Sequence, residues 1–231
     1  MLPVAILAGG LATRLHPITQ TIPKALVDVA GKPFIYHQLE VLRAAGARRV
    51  VLCLAHLADQ VESAVGDGGR FDLEVVYSRD GGQLLATGGA LRHALPLLGE
   101  RFLVLYGDSY LRCDYQAISR AFVASGKLGL MTVYRNDGKF DASNVRFENG
   151  EIIQYDKTPG ISGMSHIDYG LGALHADAFA GTRDGERIDL VAVYQALLSR
   201  RQLAGYEVND RFYEIGSPAG LAETRQLLES T

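Results

Sequence analysis

Two cysteines, no long apolar run, no surplus of basic charge and no simple or repeated sequence mark out this 231-residue chain before any motif is sought. Cys53 and Cys113 form neither a metal-ligand spacing nor a redox pair, and Cys53, inside "VVLCL", reads as a buried strand thiol. A net charge of −3 offers no positive field for nucleic acid. No stretch approaches the roughly 18 apolar residues of a membrane span. The N-terminus lacks the basic segment of a secretory leader. A cytoplasmic protein without a nucleic-acid or membrane partner is therefore expected. Two common phosphate-binding signatures are also missing: no glycine precedes a Gly-Lys pair at P-loop spacing, and there is no G-x-G-x-x-G stretch.

What is present is ordinary for a globular chain, 48% apolar and 21% charged, and long enough to bury a core without staples. The first half alternates strand and helix signals. "LPVAILA" is a continuous apolar run, as a strand buried on both faces requires. "KPFIYHQLEVLRAAG" has helical spacing, with Pro33 suited to the first turn and Gly46 ending it. "RRVVLCLA", "LEVVYS", "RFLVLYGD" and "KLGLMTVYR" read as further strands, separated by helices. This order predicts an α/β fold, a three-layer sandwich around a mostly parallel mixed sheet. After Asn136 the texture changes: a hairpin around Asn149-Gly150, a strand "HIDYGLGALH", a helix, two short strands, and a closing helix with Ser217 as N-cap. With no linker visible, residues 1–231 are expected to form one domain, halves 1–135 and 136–231 sharing a sheet.

Ligands of open α/β sheets bind beyond the carboxyl ends of the strands. That rule selects Gly9, Gly10 and Arg14 after the first strand, Asp108 after "RFLVLYG", and Glu214 in "RFYEIG". The glycine pair can expose backbone N–H groups to an anion, or simply make a tight turn. Lys24 sits on a long loop stiffened by Pro17 and Pro23, where it is either a point charge for phosphate or a solvated lysine. Asp108 suits a Mg²⁺ ligand or a cap, and Glu214 is its best partner or a rim charge. Thr87, Gly88 and Gly89 open a helix where small residues permit close approach of a ring, or merely cap it.

Taken together, "LAGGLATRLHPITQTIPKALVDVAGKP" resembles the signature of the sugar-phosphate nucleotidyltransferases, supported in order by "LLATGGALRHAL", "VLYGDSYL", "YDKTP" and "FYEIGSP". The short length and "TGGAL" look most like heptose- or mannose-1-phosphate guanylyltransferases. The resemblance implies a Rossmann-like, GT-A-like fold without a C-terminal β-helix domain. It implies transfer of a nucleotidyl group from an NTP, best guessed as GTP, to a sugar 1-phosphate, with pyrophosphate released and Mg²⁺ as cofactor; a homodimer is possible. By resemblance, Leu7, Ala8, Gly9, Gly10, Arg14, Gln83, Thr87 and Gly88 bind the nucleotide. Arg14, Lys24 and Asp108 are catalytic, and Asp108 and Glu214 hold the metal. Lys24, Asp156, Lys157, Tyr169 and Gly170 contact the sugar phosphate.

Three residues depart from the family pattern: Ala12 for glycine, Glu214 for aspartate and Asp156 for glutamate. Alternatives are a uridylyl- or thymidylyltransferase for another hexose 1-phosphate, a glycosyltransferase, and a catalytically silent binding subunit. A glycosyltransferase would show a D-x-D-type motif, and "GDSYL" has a single acid there. A silent subunit would not need to retain Arg14, Lys24, Asp108 and Lys157. The six histidines are scattered and none is assigned a catalytic role.

Overall fold

The apolar run at the N-terminus forms β1 (Val4–Leu7), and its first three residues are buried. Alternation along it sorts the two faces of the sheet. Val4 and Ile6 pack with one apolar cluster and Ala5 with the other. The computed structural model describes residues 1–158 and 160–230. A loop leads from β1 through a two-residue ribbon, β2 (Asp28–Val29) and β3 (Lys32–Pro33), into helix α1 (Phe34–Ala44). Then follow β4 (Arg49–Leu54), α2 (Ala58–Val65), β5 (Glu74–Arg79), α3 (Ala86–Leu98) and β6 (Arg101–Tyr106). Next come β7 (Ser109–Leu111), α4 (Tyr115–Ser125) and β8 (Gly129–Arg135). The later elements are β9 (Val145–Glu148), β10 (Glu151–Tyr155), β11 (His166–His175), α5 (Leu190–Ser199), β12 (Leu203–Val208), β13 (Phe212–Glu214) and α6 (Pro218–Glu229).

Strands β5, β4, β1 and β6 lie side by side in parallel. β11 runs antiparallel to both β6 and β8, and β12 continues parallel to β8. The sheet is thus mixed but mostly parallel, with nine strands among the described residues. One face is covered by α1, α2 and α4 through Leu39, Val61 and Phe122, and the other by α3 and α5 through Leu91 and Leu197. This is the three-layer α/β sandwich that the strand–helix alternation predicts. The Asn149-Gly150 turn has both residues at positive φ, 51° and 82°, as a tight hairpin needs.

One short strand lies elsewhere than expected. "RFYEIG" does not join the main sheet: β13 pairs antiparallel with β7, Glu214 opposite Ser109. The chain leaves β6, turns at Gly107-Asp108, and immediately offers β7 as a free edge for it. A third, smaller apolar cluster holds this ribbon against the loop after β1, through Leu15, Val27, Phe34, Tyr110, Ile215 and Leu221.

The turn after β6 works only with glycine. A Cβ at Gly107 would lie 2.4 Å from the Leu7 carbonyl oxygen and 3.0 Å from Ala8 Cα. Gly107→Ala should therefore push β6 off β1 and destabilise the protein by about 1–3 kcal/mol, read as a lower urea midpoint in equilibrium unfolding.

Candidate active site

At the carboxyl ends of β1 and β6 lies a cavity of about 380 Å³. Leu7, Ala8, Gly9 and Gly10 form one wall. Lys24, Thr87, Asp108 and Lys157 reach it from four other segments. The Ala8 N–H continues the β1–β4 ladder by donating to the Cys53 carbonyl, so the chain turns only at Gly9. A Cβ on Gly9 would stand 3.1 Å from Ala55, so this glycine is a close-packing position, whereas Gly10 has open space beside it. Cys53 closes the cavity floor, and burial pushes its thiol up to about 12.

The central contact is an ion pair. Lys24 Nζ donates to Asp108 Oδ2 at 2.7 Å, with the two side chains 20% and 24% exposed. Arg14 reaches the same place from the other side. A Cβ on Gly216 would sit 2.9 Å from Arg14 Nη2, 3.0 Å from Asp108 Oδ2 and 2.5 Å from Glu214 Oε2. The guanidinium of Arg14 has no ion-pair partner among the described residues. Glu214 is otherwise engaged: Oε1 accepts from Ser217 Oγ at 2.7 Å, and Oε2 accepts from the Gly216 N–H. Its longer arm folds back to cap the entry to α6. Arg14 and Glu214 line a neighbouring cavity, so the charged cluster stands between the two.

The residues fit Mg²⁺ only in one form. Among the described residues no group of three or more acids, histidines or cysteines could hold an ion. Asp108 faces the cavity as one carboxylate, which suits an ion that arrives on phosphates and keeps few protein ligands.

Other expected residues have partners within the protein. Gln83 donates to the Gly185 carbonyl at 2.8 Å and does not line the cavity. The Gly88 N–H donates to the Ile188 carbonyl at 2.8 Å, and a Cβ there would meet Ile188 and Asp189 at 3.1 Å. The close approach that the small residues permit is thus by the chain's own segment before α5. Thr87 does line the cavity, and its hydroxyl also accepts from the Leu190 N–H at 2.9 Å. Asp156 accepts from the Thr158 N–H at 2.8 Å, and hydrogen bonds from Thr158 hold its carboxyl below the usual range. Tyr169 is buried, its ring packed with Tyr134 and Phe212. Gly170 adopts φ 94°, and a Cβ there would meet Ser109 Oγ at 2.7 Å.

Ala12, which stands where the family signature has glycine, adopts left-handed backbone, and so does Ala86 at the start of α3. Ala12 has φ 49° and Ala86 φ 59°. Ala12 is held there through its carbonyl, which accepts from Thr19 Oγ1 at 2.8 Å and from the Leu15 N–H at 3.0 Å.

Asp168 is the main residue missed by sequence reasoning. Its side chain is 5% exposed, and Oδ2 accepts from the hydroxyls of Tyr106 and Tyr155, each at 3.0 Å. Lys157 Nζ lies 3.5 Å from the same oxygen and 5.1 Å from the centre of the Tyr106 ring. Burial first, and the Asp168 carboxylate second, push both tyrosine hydroxyls up. Asp168 thus fixes the one lysine that β10 delivers to the cavity. The available signal was a lone acid inside the apolar strand "HIDYGLGALH". Asp168→Ala leaves two buried hydroxyls without an acceptor and should cost about 2–4 kcal/mol. Asp168→Asn, which keeps one acceptor, should cost less, and urea unfolding of both variants measures the difference.

The nucleotidyl transferase family pattern matches residues 4–143. N-acetylmuramate alpha-1-phosphate uridylyltransferase of Neisseria meningitidis serogroup B is 31% identical, with 96% of each chain covered. Mannose-1-phosphate guanylyltransferase catalytic subunit beta of Xenopus tropicalis is 28% identical over 92% of this chain, which spans 61% of that protein's length. HddC from Yersinia pseudotuberculosis, solved with GMP-PN, superposes with a TM-score of 0.78 at 25% identity, covering 99% of this chain and 100% of its own. No helix among the described residues is long and apolar enough to cross a membrane. The chain belongs to the nucleotidyl transferase family, among its sugar-1-phosphate nucleotidyltransferases.

Proposed function

We propose that the protein uses GTP and a heptose or mannose 1-phosphate, and that Lys24, Arg14, Asp108 and Lys157 carry the reaction. The observation supporting these roles is the convergence of Arg14, Asp108 and Lys24, with Lys157 on the wall of the cavity that Lys24 and Asp108 line. A phosphate oxygen of the sugar 1-phosphate attacks the α-phosphorus of the triphosphate. A new P–O bond forms there, and the bond from the α-phosphorus to the bridging oxygen breaks, so pyrophosphate leaves with the electron pair. The attacking oxygen is already ionised at neutral pH, so no general base is needed. Two anions must be brought together, and the work of the protein is positioning and charge compensation. In this reading the Gly9-Gly10 backbone faces the nucleotide, Arg14 faces its phosphates, and Lys24 leaves Asp108 to bridge the two reacting phosphates. Lys157, anchored by Asp168, receives the sugar phosphate. Mg²⁺, held by Asp108 with Glu214 beside it, would neutralise phosphate charge when bound.

The guanylyl choice is supported by the family resemblance, by the mannose-specific relatives and by the GMP-PN complex of HddC. A second reading, uridylyl transfer, is favoured by the N-acetylmuramate alpha-1-phosphate uridylyltransferase, which matches along 96% of its length. A pyrophosphate-release assay with Mg²⁺, pairing GTP, UTP and dTTP with mannose, heptose, glucose and N-acetylated sugar 1-phosphates, separates them. GTP with mannose or heptose 1-phosphate should give the highest kcat/KM; preference for UTP overturns the guanylyl choice. Arg14→Ala and Lys24→Ala should each lose on the order of 10²–10³ in kcat with an unchanged circular dichroism spectrum. Near-normal turnover in either variant would sink the assigned roles.

A further inference from the structure

Gln38 sits on the buried face of α1, one turn from Phe34, Ile35 and Leu42, where an amphipathic helix calls for an apolar residue. It is 2% exposed, so its amide must find partners inside the protein. Nε2 donates to the Tyr106 carbonyl at 3.0 Å and to the Ser109 carbonyl at 2.8 Å. Two carbonyls can only accept, so the NH2 end of the amide must face them, and both of its hydrogens are spent. Oε1 has no hydrogen-bond partner among the described residues. A buried acceptor left unpaired is a loss of stability that a leucine would not incur. Packing therefore does not account for this side chain. What it does is bridge two points of the backbone.

Those two points flank Asp108. Tyr106 ends β6 and Ser109 begins β7, so the amide spans the Gly107-Asp108 turn. Parallel pairing with β1 runs to Tyr106, and the Gly107 N–H extends the ladder by one bond, to the Leu7 carbonyl at 3.1 Å. Asp108 lies just beyond the sheet. Its own carbonyl accepts from the Ile215 N–H at 2.9 Å, and Gln38 holds the carbonyls before and after it. The other member of the ion pair is tied to the same helix. One turn before Gln38, the Phe34 N–H donates to the Val27 carbonyl at 3.0 Å, and the Val27 N–H donates to the Lys24 carbonyl at 3.1 Å. The first turns of α1 therefore gauge the separation of Lys24 and Asp108.

Resting on the reading above that Asp108 serves the transfer, we propose that Gln38 is a positioning residue: its amide fixes the turn that aims the Asp108 carboxylate, and keeps it fixed when Lys24 changes partner. While the ion pair is intact, Asp108 is restrained through its side chain and its backbone alike. When Lys24 turns to phosphate the side-chain restraint goes, and the backbone clamp stays. Gln38 is not part of the cavity wall, touches no reacting group and acts through Asp108.

Gln38→Met, close in size and without donors, and Gln38→Asn, which keeps the amide on a shorter arm, test this against Leu42→Ala, a change on the same buried stripe. Pyrophosphate release is followed with the triphosphate and sugar 1-phosphate that the wild type prefers. In Gln38→Met, kcat should fall about tenfold to a hundredfold, and in Gln38→Asn by less, with KM for the triphosphate at the wild-type value. In both variants the Ile215 amide proton should exchange faster, read by NMR, while the Ala8 amide, bonded across the sheet to the Cys53 carbonyl, keeps its protection. Leu42→Ala should lower the urea midpoint and leave kcat unchanged. Wild-type kcat and wild-type Ile215 exchange in the Gln38 variants overturn the proposal. An equal loss of kcat in Leu42→Ala overturns it too, since the effect is then one of stability. If Gln38→Met does not fold, Gln38→Asn alone decides. Asp108→Asn separates this inference from the reading beneath it. Wild-type turnover in that variant removes the role of Asp108, and this inference with it; its inactivity beside fully active Gln38 variants refutes the positioning role alone.

Discussion

Lys24 and Asp108 are separated by 84 positions in sequence and 2.7 Å in space. The end of the sheet is arranged around that contact. Asp108 can stand there because Gly107 lets β6 end flush against β1. Lys24 can reach it because the small apolar cluster around Leu15, Val27 and Phe34 pins the loop that carries it. A charge pair at this depth, about a fifth exposed, has little net stability to offer against desolvation. In the proposed reading it stores two opposite charges beside each other, the lysine for an arriving phosphate and the carboxylate for a cation.

Backbone strain accumulates around the same point. Ala12 and Ala86 hold left-handed conformations that glycine would adopt without cost, each at an expense of order 1 kcal/mol or more. Gly107 and Gly216 carry the opposite constraint, since any side chain there would strike the Leu7 carbonyl or the Arg14–Asp108–Glu214 cluster. The loop after β1 is thus shaped by hydrogen bonds onto the Ala12 carbonyl rather than by glycine freedom. The alanine methyl narrows the conformations open to the loop without filling the space beside Gly10.

Much of this was legible in the sequence because it is local. Apolar runs, helix spacing, the Ser217 cap and the Asn149-Gly150 turn each depend on neighbours a few residues away, and they set the order of strands and helices. The cavity wall at Leu7–Gly10, with Lys24, Asp108 and Lys157, followed from strand ends and family resemblance. What was not legible depends on contacts between distant segments. Nothing near Asp168 in sequence shows that two tyrosines from β6 and β10 will close over it. Nothing in "FYEIGSP" shows that Glu214 will turn back onto Gly216 and Ser217 and pair its strand with β7. The small residues at Gly88 looked like room for a ligand, and the room is taken by Ile188, a hundred positions away.

The two cavities meet at the charged cluster. Lys24 and Asp108 line the first, Arg14 and Glu214 the second, and a Cβ on Gly216 would lie within 3.0 Å of Asp108, Arg14 and Glu214 alike. In the proposed reading that geometry has a chemical consequence. Two polyanions repel, so a single open groove would let each push the other out of line. A boundary of fixed charges at the end of the nucleotide cavity would meet that repulsion where the cations stand. β13 forms that boundary, because pairing with β7 carries Glu214, Gly216 and the start of α6 across the end of the sheet.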